Sequence, residues 1–248
     1  MISAFDAVEN CVWQLGYPTA CRKDTERAVK DAREIGHANT LVYALGRAAT
    51  SYIFCGDYAA AHAQLDELIA LADERGRALG TATRGWLFGV TGQAADAVRA
   101  ITTGMTSLRS TGATLYEPRH LWPLAIAYAE LGKPDDARRC IDDAIDKVER
   151  SKEKWCEAEV HRVAGEIALK SPEPYVEKAE TYFERALAVA RAQQTKSWEL
   201  RAAMSLAPVY NWFTEGFDTL DLKEARALLA ELADELSSND FKASTRSI

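Results

Sequence analysis

The sequence predicts an all-α fold, a right-handed α-solenoid of about eleven helices stacked as pairs. Two observations carry this. Four segments read as one motif: Trp13-Gln-Leu-Gly16-Tyr-Pro-Thr-Ala20, Phe54-Cys-Gly56-Asp-Tyr-Ala-Ala60, Gly89-Val-Thr-Gly92-Gln-Ala-Ala-Asp-Ala97 and Ala129-Glu-Leu-Gly132-Lys-Pro-Asp-Asp-Ala137. Their glycines stand 40, 36 and 40 residues apart, and a second set, Gly36, Gly76 and Gly112, repeats the 40 and 36 spacing. Two punctuation marks in lock-step define a two-helix unit, and such units stack on their neighbours. The units run about 1–36, 37–76, 77–112, 113–151, 152–194 and 195–237, with 238–248 expected as a flexible tail.

The elements follow in order. Ser3-x-x-Asp6 resembles a capping box and opens a first helix ending near Leu15. The second runs from about Thr19 to Ile35 and stops at Gly36, a residue suited to a left-handed C-cap. The next covers about Asn39 to Phe54, and Asp57 then caps a helix with the stripe Ala61, Leu65, Leu68, Ile69, Ala72. Val98, Ile101, Met105 and Leu108 mark the second helix of unit three. Unit four has the clearest stripe: Ala137, Cys140, Ile141, Ala144, Ile145, Val148, with Pro134 in the first turn, where a missing N–H costs nothing. Ser171-Pro-Glu-Pro174 lengthens unit five ahead of Ala179, Tyr182, Phe183, Ala186, Leu187 and Ala190. The last helix, about Asp221 to Leu236, repeats the pattern with Leu222, Leu229 and Leu232. No sustained period-two alternation signals a strand. Trp13, Trp86, Tyr128 and Phe183 read as core, filling the spaces that stripe Ala and Gly leave.

Composition excludes several function classes. The 248 residues carry a net charge of −7 and 48% hydrophobic residues. Between Thr214 and Asp240 eight acidic residues face only Lys223 and Arg226, and the basic run from Arg22 to Arg33 is interrupted by Asp24, Glu26 and Asp31. No basic patch for nucleic acid is expected. The five cysteines, Cys11, Cys21, Cys55, Cys140 and Cys156, show no Cys-x-x-Cys and read as reduced, small apolar residues. No leader pattern opens the sequence and no apolar run approaches ~18 residues, so a cytoplasmic location without membrane contact is expected. His161 and Glu157 are one turn apart but lack a third ligand, so neither a metal nor a cofactor is expected. No nucleophile elbow or dinucleotide glycine motif is present, so no enzyme is expected.

The aromatic–Leu–Gly–x–x–x–x–Ala motif resembles tetratricopeptide repeats, with a longer repeat than the ~34 residues usual there. The second half is more specific. Glu153-Lys-Trp155-Cys-Glu-Ala-Glu159-Val-His161-Arg162-Val-Ala-Gly165-Glu, Lys196-Ser-Trp198-Glu199-Leu-Arg201-Ala-Ala-Met-Ser205 and the stretch from Pro208 to Ala225 are similar to the C-terminal repeats of bacterial multidomain adenylate/guanylate cyclases and ATPase-type regulators. The resemblance implies a regulatory repeat array. It carries over no catalysis, because the cyclase and nucleotide-binding motifs are not in the sequence. It also departs from the family where Ser205-Leu-Ala-Pro-Val-Tyr210 joins two motifs directly, and Pro208 is expected to break or kink the helix there.

In such arrays the first helices of the units line a concave groove. A fixed register, six residues before the small residue of each helix, selects Glu159 and Glu199, with His161 and Arg201 two residues on. Unit four offers Glu117 and Arg119, and the earlier units offer Leu41 with Tyr43 and Arg77 with Leu79. The candidate ligand groove is therefore Tyr43, Arg77, Glu117, Arg119, Glu159, His161, Glu199 and Arg201. One reading is a clamp for a protein or peptide partner, or a small effector, gripped through charge. The other is ion pairing between repeats that holds the stack in register. The expected function is a non-catalytic interaction module. The alternative is an oligomerisation element, with a homodimer formed through the acidic last helix.

Overall fold

The structure, a computed structural model, describes residues 12–112, 117–150, 154–171 and 175–210, with side chains to residue 207. The expected capping box at Ser3, the acidic leucine-striped helix at 221–236 and the 238–248 tail lie outside the described residues. After a short helical turn at 12–14 come α1 (Pro18–Ile35), α2 (Ala38–Phe54), α3 (Tyr58–Leu71), α4 (Glu74–Val90) and α5 (Ala94–Ser110). Then follow α6 (Glu117–Glu130), α7 (Pro134–Arg150), a 3₁₀ turn (Lys154–Cys156), α8 (Glu157–Leu169), α9 (Val176–Ala192) and α10 (Lys196–Tyr210). Among the described residues there is no strand.

Turn chemistry sets the boundaries. Gly16, Gly56, Gly92 and Gly132 take φ of +94°, +75°, +81° and +68° between the two helices of a unit. Gly36 and Gly112 do the same between units, at +71° and +75°. Gly76 does not. It sits inside the first turn of α4, where its N–H donates to the Asp73 side chain at 2.8 Å. Asp73 is the N-cap, so the boundary between units two and three falls near Ala72 rather than at Gly76. At the end of unit five Gln194 takes the left-handed conformation, φ +56°, that glycine takes elsewhere. The helix at Pro208 also departs from expectation, because α10 continues to Tyr210. Pro123, inside α6, removes the N–H that would bond to the Arg119 carbonyl, yet the helix runs on.

Helices pair in sequence, and the first helices of successive units touch: α2 with α4, α4 with α6, α6 with α8, α8 with α10. That is the contact pattern of a solenoid. The second helices turn one stripe inward. Ala137, Ile141, Ala144 and Val148 of α7 are buried as the periodicity predicts. Trp13, Trp86 and Phe183 are buried, and Tyr128 is half-buried beneath Lys133.

The inner face is filled by aromatic rings. Trp122 meets Trp86 at 4.9 Å between centroids, and Trp86 meets Phe54 at 4.9 Å. Phe54 stacks on Trp13 at 4.5 Å and meets Trp198 edge-on at 5.3 Å. Trp13 and Trp198 themselves lie 4.8 Å apart. Unit six thus touches units one and two, and the Ser197 hydroxyl donates to the Trp13 carbonyl at 2.5 Å. The array curls until its sixth unit meets its first. The rings stay together because their register slides. Phe54, Trp86 and Trp122 stand two, six and ten residues before Gly56, Gly92 and Gly132. Each step is one helical turn, about 5.4 Å of rise, which offsets the climb of the stack.

Phe54 sits where three tryptophans converge, so Phe54→Ala should cost about 3–5 kcal/mol. Leu71→Ala, at a position 53% exposed, should cost under ~0.5 kcal/mol. Urea denaturation of the two variants checks the difference.

Candidate functional site

The eight residues chosen at fixed register do not share one open groove. Tyr43 on α2 and Arg77 on α4 are exposed. Arg119 is buried and donates to the Thr83 hydroxyl at 3.2 Å, joining α6 to α4. His161 is buried with its Nδ1 unpaired among the described residues, its ring 6.3 Å from that of Tyr182. Among the described residues Glu159 does not pair with His161, nor Glu199 with Arg201, because i and i+2 point apart on a helix. The partners lie elsewhere. Glu117 takes Arg109 and Lys147, each at 2.7 Å. Glu199 takes Arg191 at 2.9 Å and Lys196 at 3.0 Å. Arg109–Glu117 and Arg191–Glu199 are equivalent clips, each spanning eight residues across the turn from one unit into the next. These four side chains hold repeats together.

Glu159 and Arg201 do come together, at 2.7 Å, and they belong to a network. Arg162 donates to both Glu159 oxygens, at 2.8 and 2.9 Å. It also pairs with Glu166 and donates to the Ser205 hydroxyl at 3.1 Å. Ser205 donates to Glu166 at 3.1 Å. The Glu159 side chain has no exposed surface, whereas Arg201 is 36% exposed and lies over the Trp198 ring. Burial pushes the Glu159 carboxyl up, but Arg162 and Arg201 outweigh it and hold the group below its ordinary value. The guanidinium of Arg162 is held charged in return, its own burial outweighed by Glu159 and Glu166.

This network forms the floor of a cleft of about 460 Å³ between α8, α9 and α10. Its walls are Leu169, Phe183 and Met204, the last 66% exposed. Gly165 lets Phe183 pack here, since a Cβ at that position would stand 2.5 Å from the ring. Lys170 also lines the cleft and makes no ion pair among the described residues. The lining thus holds Arg162, Lys170 and Arg201 against Glu166, with the Glu159 carboxylate beneath shared by the two arginines. Fixed-register reasoning missed Arg162, Glu166 and Ser205. The spacing Glu159-x-x-Arg162-x-x-x-Glu166, an i+3 and an i+4 pair on one helix face, was the signal that could have found the first two.

Two measurements test the electrostatics. Glu159→Gln breaks a buried pair and should cost about 3–5 kcal/mol. Arg201→Gln leaves Glu159 bonded to Arg162 and should cost about 0–1 kcal/mol. Stability should also fall with acid in two stages. Burial, reinforced by Arg119, holds His120 well below its ordinary 6.5, and burial lowers His161. The unfolded chain therefore binds more protons, and stability is lost as pH falls below about 6.5. Glu117, Glu159 and Glu199 are lowered from 4.5, so a second loss begins as pH falls through that value. His120→Phe should flatten the first stage in denaturation curves taken across pH.

No family model matches the chain, and comparison with curated proteins gives no match. Among solved structures the chain is similar to the crystal structure of BtubC (BKLC) from P. vanneervenii, with a TM-score of 0.62 and 18% identity. The likeness covers 88% of this chain and 91% of that one. It is a likeness of fold, and it agrees with an all-helical array of stacked pairs.

Proposed function

We propose that this chain is a non-catalytic interaction module, a tetratricopeptide-like regulatory or scaffolding array of the cytoplasm. It docks an acidic protein segment in the cleft between α8, α9 and α10. The observation that carries the reading is the charge of that cleft. In a chain of net charge −7, Arg162, Arg201 and Lys170 meet only the carboxylates of Glu159 and Glu166 there, which leaves the Lys170 ammonium in excess beside an apolar wall. A segment placing an Asp or Glu near Lys170 and Arg201, and an apolar side chain against Leu169, Phe183 and Met204, complements both parts. The inner face, by contrast, is filled by the rings of Trp13, Phe54, Trp86, Trp122 and Trp198. The oligomerisation reading rests on the helix expected from the sequence at 221–236, outside the described residues, and stands as the alternative.

Alanine at Glu159 or Glu199 tests folding, because both are buried and paired. Lys170→Glu with Met204→Glu tests docking, because both positions are exposed. A displayed peptide library panned on the parent should enrich segments with an acidic residue next to an apolar one. Their binding should weaken about tenfold or more, roughly 1.4 kcal/mol, in the double variant at unchanged circular dichroism. It should also weaken with added salt. No enrichment, or binding indifferent to both changes, overturns the reading. A light-scattering mass at a multiple of 27.3 kDa would then favour oligomerisation.

A further inference from the structure

On its other side α8 faces a second groove, of about 180 Å³, between α7 and α9. Its floor is apolar: Ile141 of α7 and Ala164, Ile167 and Ala168 of α8. The two alanines are too short to fill the space between the flanking helices, which is why the groove exists. Tyr175 and Tyr182 form a wall. Ser171, whose hydroxyl donates to the Ile167 carbonyl at 3.2 Å, and the charged Arg138, Asp142 and Lys178 complete the lining.

Two of these charges stand on α7 and the third on α9. On α7, Lys147 pairs with Asp143 at 3.6 Å, Arg150 with Asp146 at 2.8 Å, and Arg139 with Asp136. Arg138 and Asp142 are also one turn apart, yet neither makes an ion pair with any described residue. Lys178 lies over the Tyr182 ring at 5.6 Å and likewise has no carboxylate partner among the described residues. Two cations and one carboxylate therefore border an apolar hollow with no ion-pair partner among the described residues.

We propose that this groove binds a free apolar α-amino acid of about the size of leucine. Arg138 and Lys178 take the ligand carboxylate. Asp142 takes the ammonium, and the side chain lies on Ala164, Ala168 and the two isoleucines. A phosphate dianion fits less well, since Asp142 would repel it. A peptide fits less well, since its ammonium and carboxylate stand further apart. The site is separate from the cleft proposed for the protein partner.

Isothermal titration of the full chain with L-leucine tests this, alongside N-acetyl-leucine, leucine amide and the dipeptide leucyl-leucine. Leucine should bind saturably. Acetylation, amidation or extension to the dipeptide should each weaken binding about tenfold or more. Arg138→Gln and Asp142→Asn, at exposed positions, should do the same at unchanged circular dichroism. Lys170→Glu, in the other cleft, should leave leucine binding intact. The proposal is overturned if leucine does not bind saturably, or if the blocked derivatives or the dipeptide bind as well as leucine. Indifference of leucine binding to Asp142→Asn overturns it too.

Discussion

Phe54 and the tryptophans around it decide the shape of the molecule. Ring contacts of 4.5 to 5.3 Å tie Phe54 to Trp13, Trp86 and Trp198, and Trp86 carries the series on to Trp122. Such pairs contribute about 0.5–1.5 kcal/mol each beyond the area they bury. An ordinary solenoid is quasi-one-dimensional, each unit contacting only its neighbours. Here units far apart in sequence share a core, so contacts between the first and sixth units add to the nearest-neighbour terms. The cost is visible as well. The indole N–H groups of Trp86, Trp122 and Trp198 are buried with no acceptor among the described residues. The packing of the rings must offset about 1–3 kcal/mol for each.

Filling the inner face changes what the charged residues of the first helices do. Glu117, Glu159 and Glu199 lie at interfaces between helices, where each carboxylate is held by two cations. Desolvation opposes their ionisation, and the paired cations overcome it. Removing one partner is costly where it leaves a buried charge unpaired and cheap where a second partner still holds that charge. The Arg109–Glu117 and Arg191–Glu199 clips therefore serve register. Arg162, bonded to three side chains on α8 and α10, spans two units at once.

Helices were legible because both their periods and their stops are local. Asp57 caps α3 as its position predicts, and Pro134 opens α7. Gly76 was misread because a glycine in a matching interval need not have a matching role. The side chain of Asp73 already caps there, and the backbone stays helical. The groove was misread for a deeper reason. A fixed register assumes helices stacked without climb, whereas the facing position moves one turn per unit. The shift from two to six to ten residues before Gly56, Gly92 and Gly132 was present in the sequence, but only closure of the array gives it meaning. Pairing of Glu159 with Arg201, 42 residues on, had no local signal at all.

The same slide explains why both grooves flank α8. Counting fourteen residues back from Ser171, which follows α8 where the turn glycines follow α2, α4 and α6, the series reaches Glu157 rather than an aromatic residue. Glu157 is buried and faces Lys154 at 3.7 Å and Arg185 at 3.5 Å. Unit five thus has no ring at this position of the series, its Trp155 packing part-buried against the core from the 3₁₀ turn, and the series resumes with Trp198 of unit six. In place of a ring, α8 carries Glu157, Glu159, Arg162 and Glu166 along with Ala164, Gly165 and Ala168. Small residues and paired charges fill less volume than tryptophan, so space remains on either side of this helix. On the α10 side that space has a floor of fixed charges, and on the α7 side a floor of alanine and isoleucine. Where the aromatic series lapses, the array exchanges packing for chemistry.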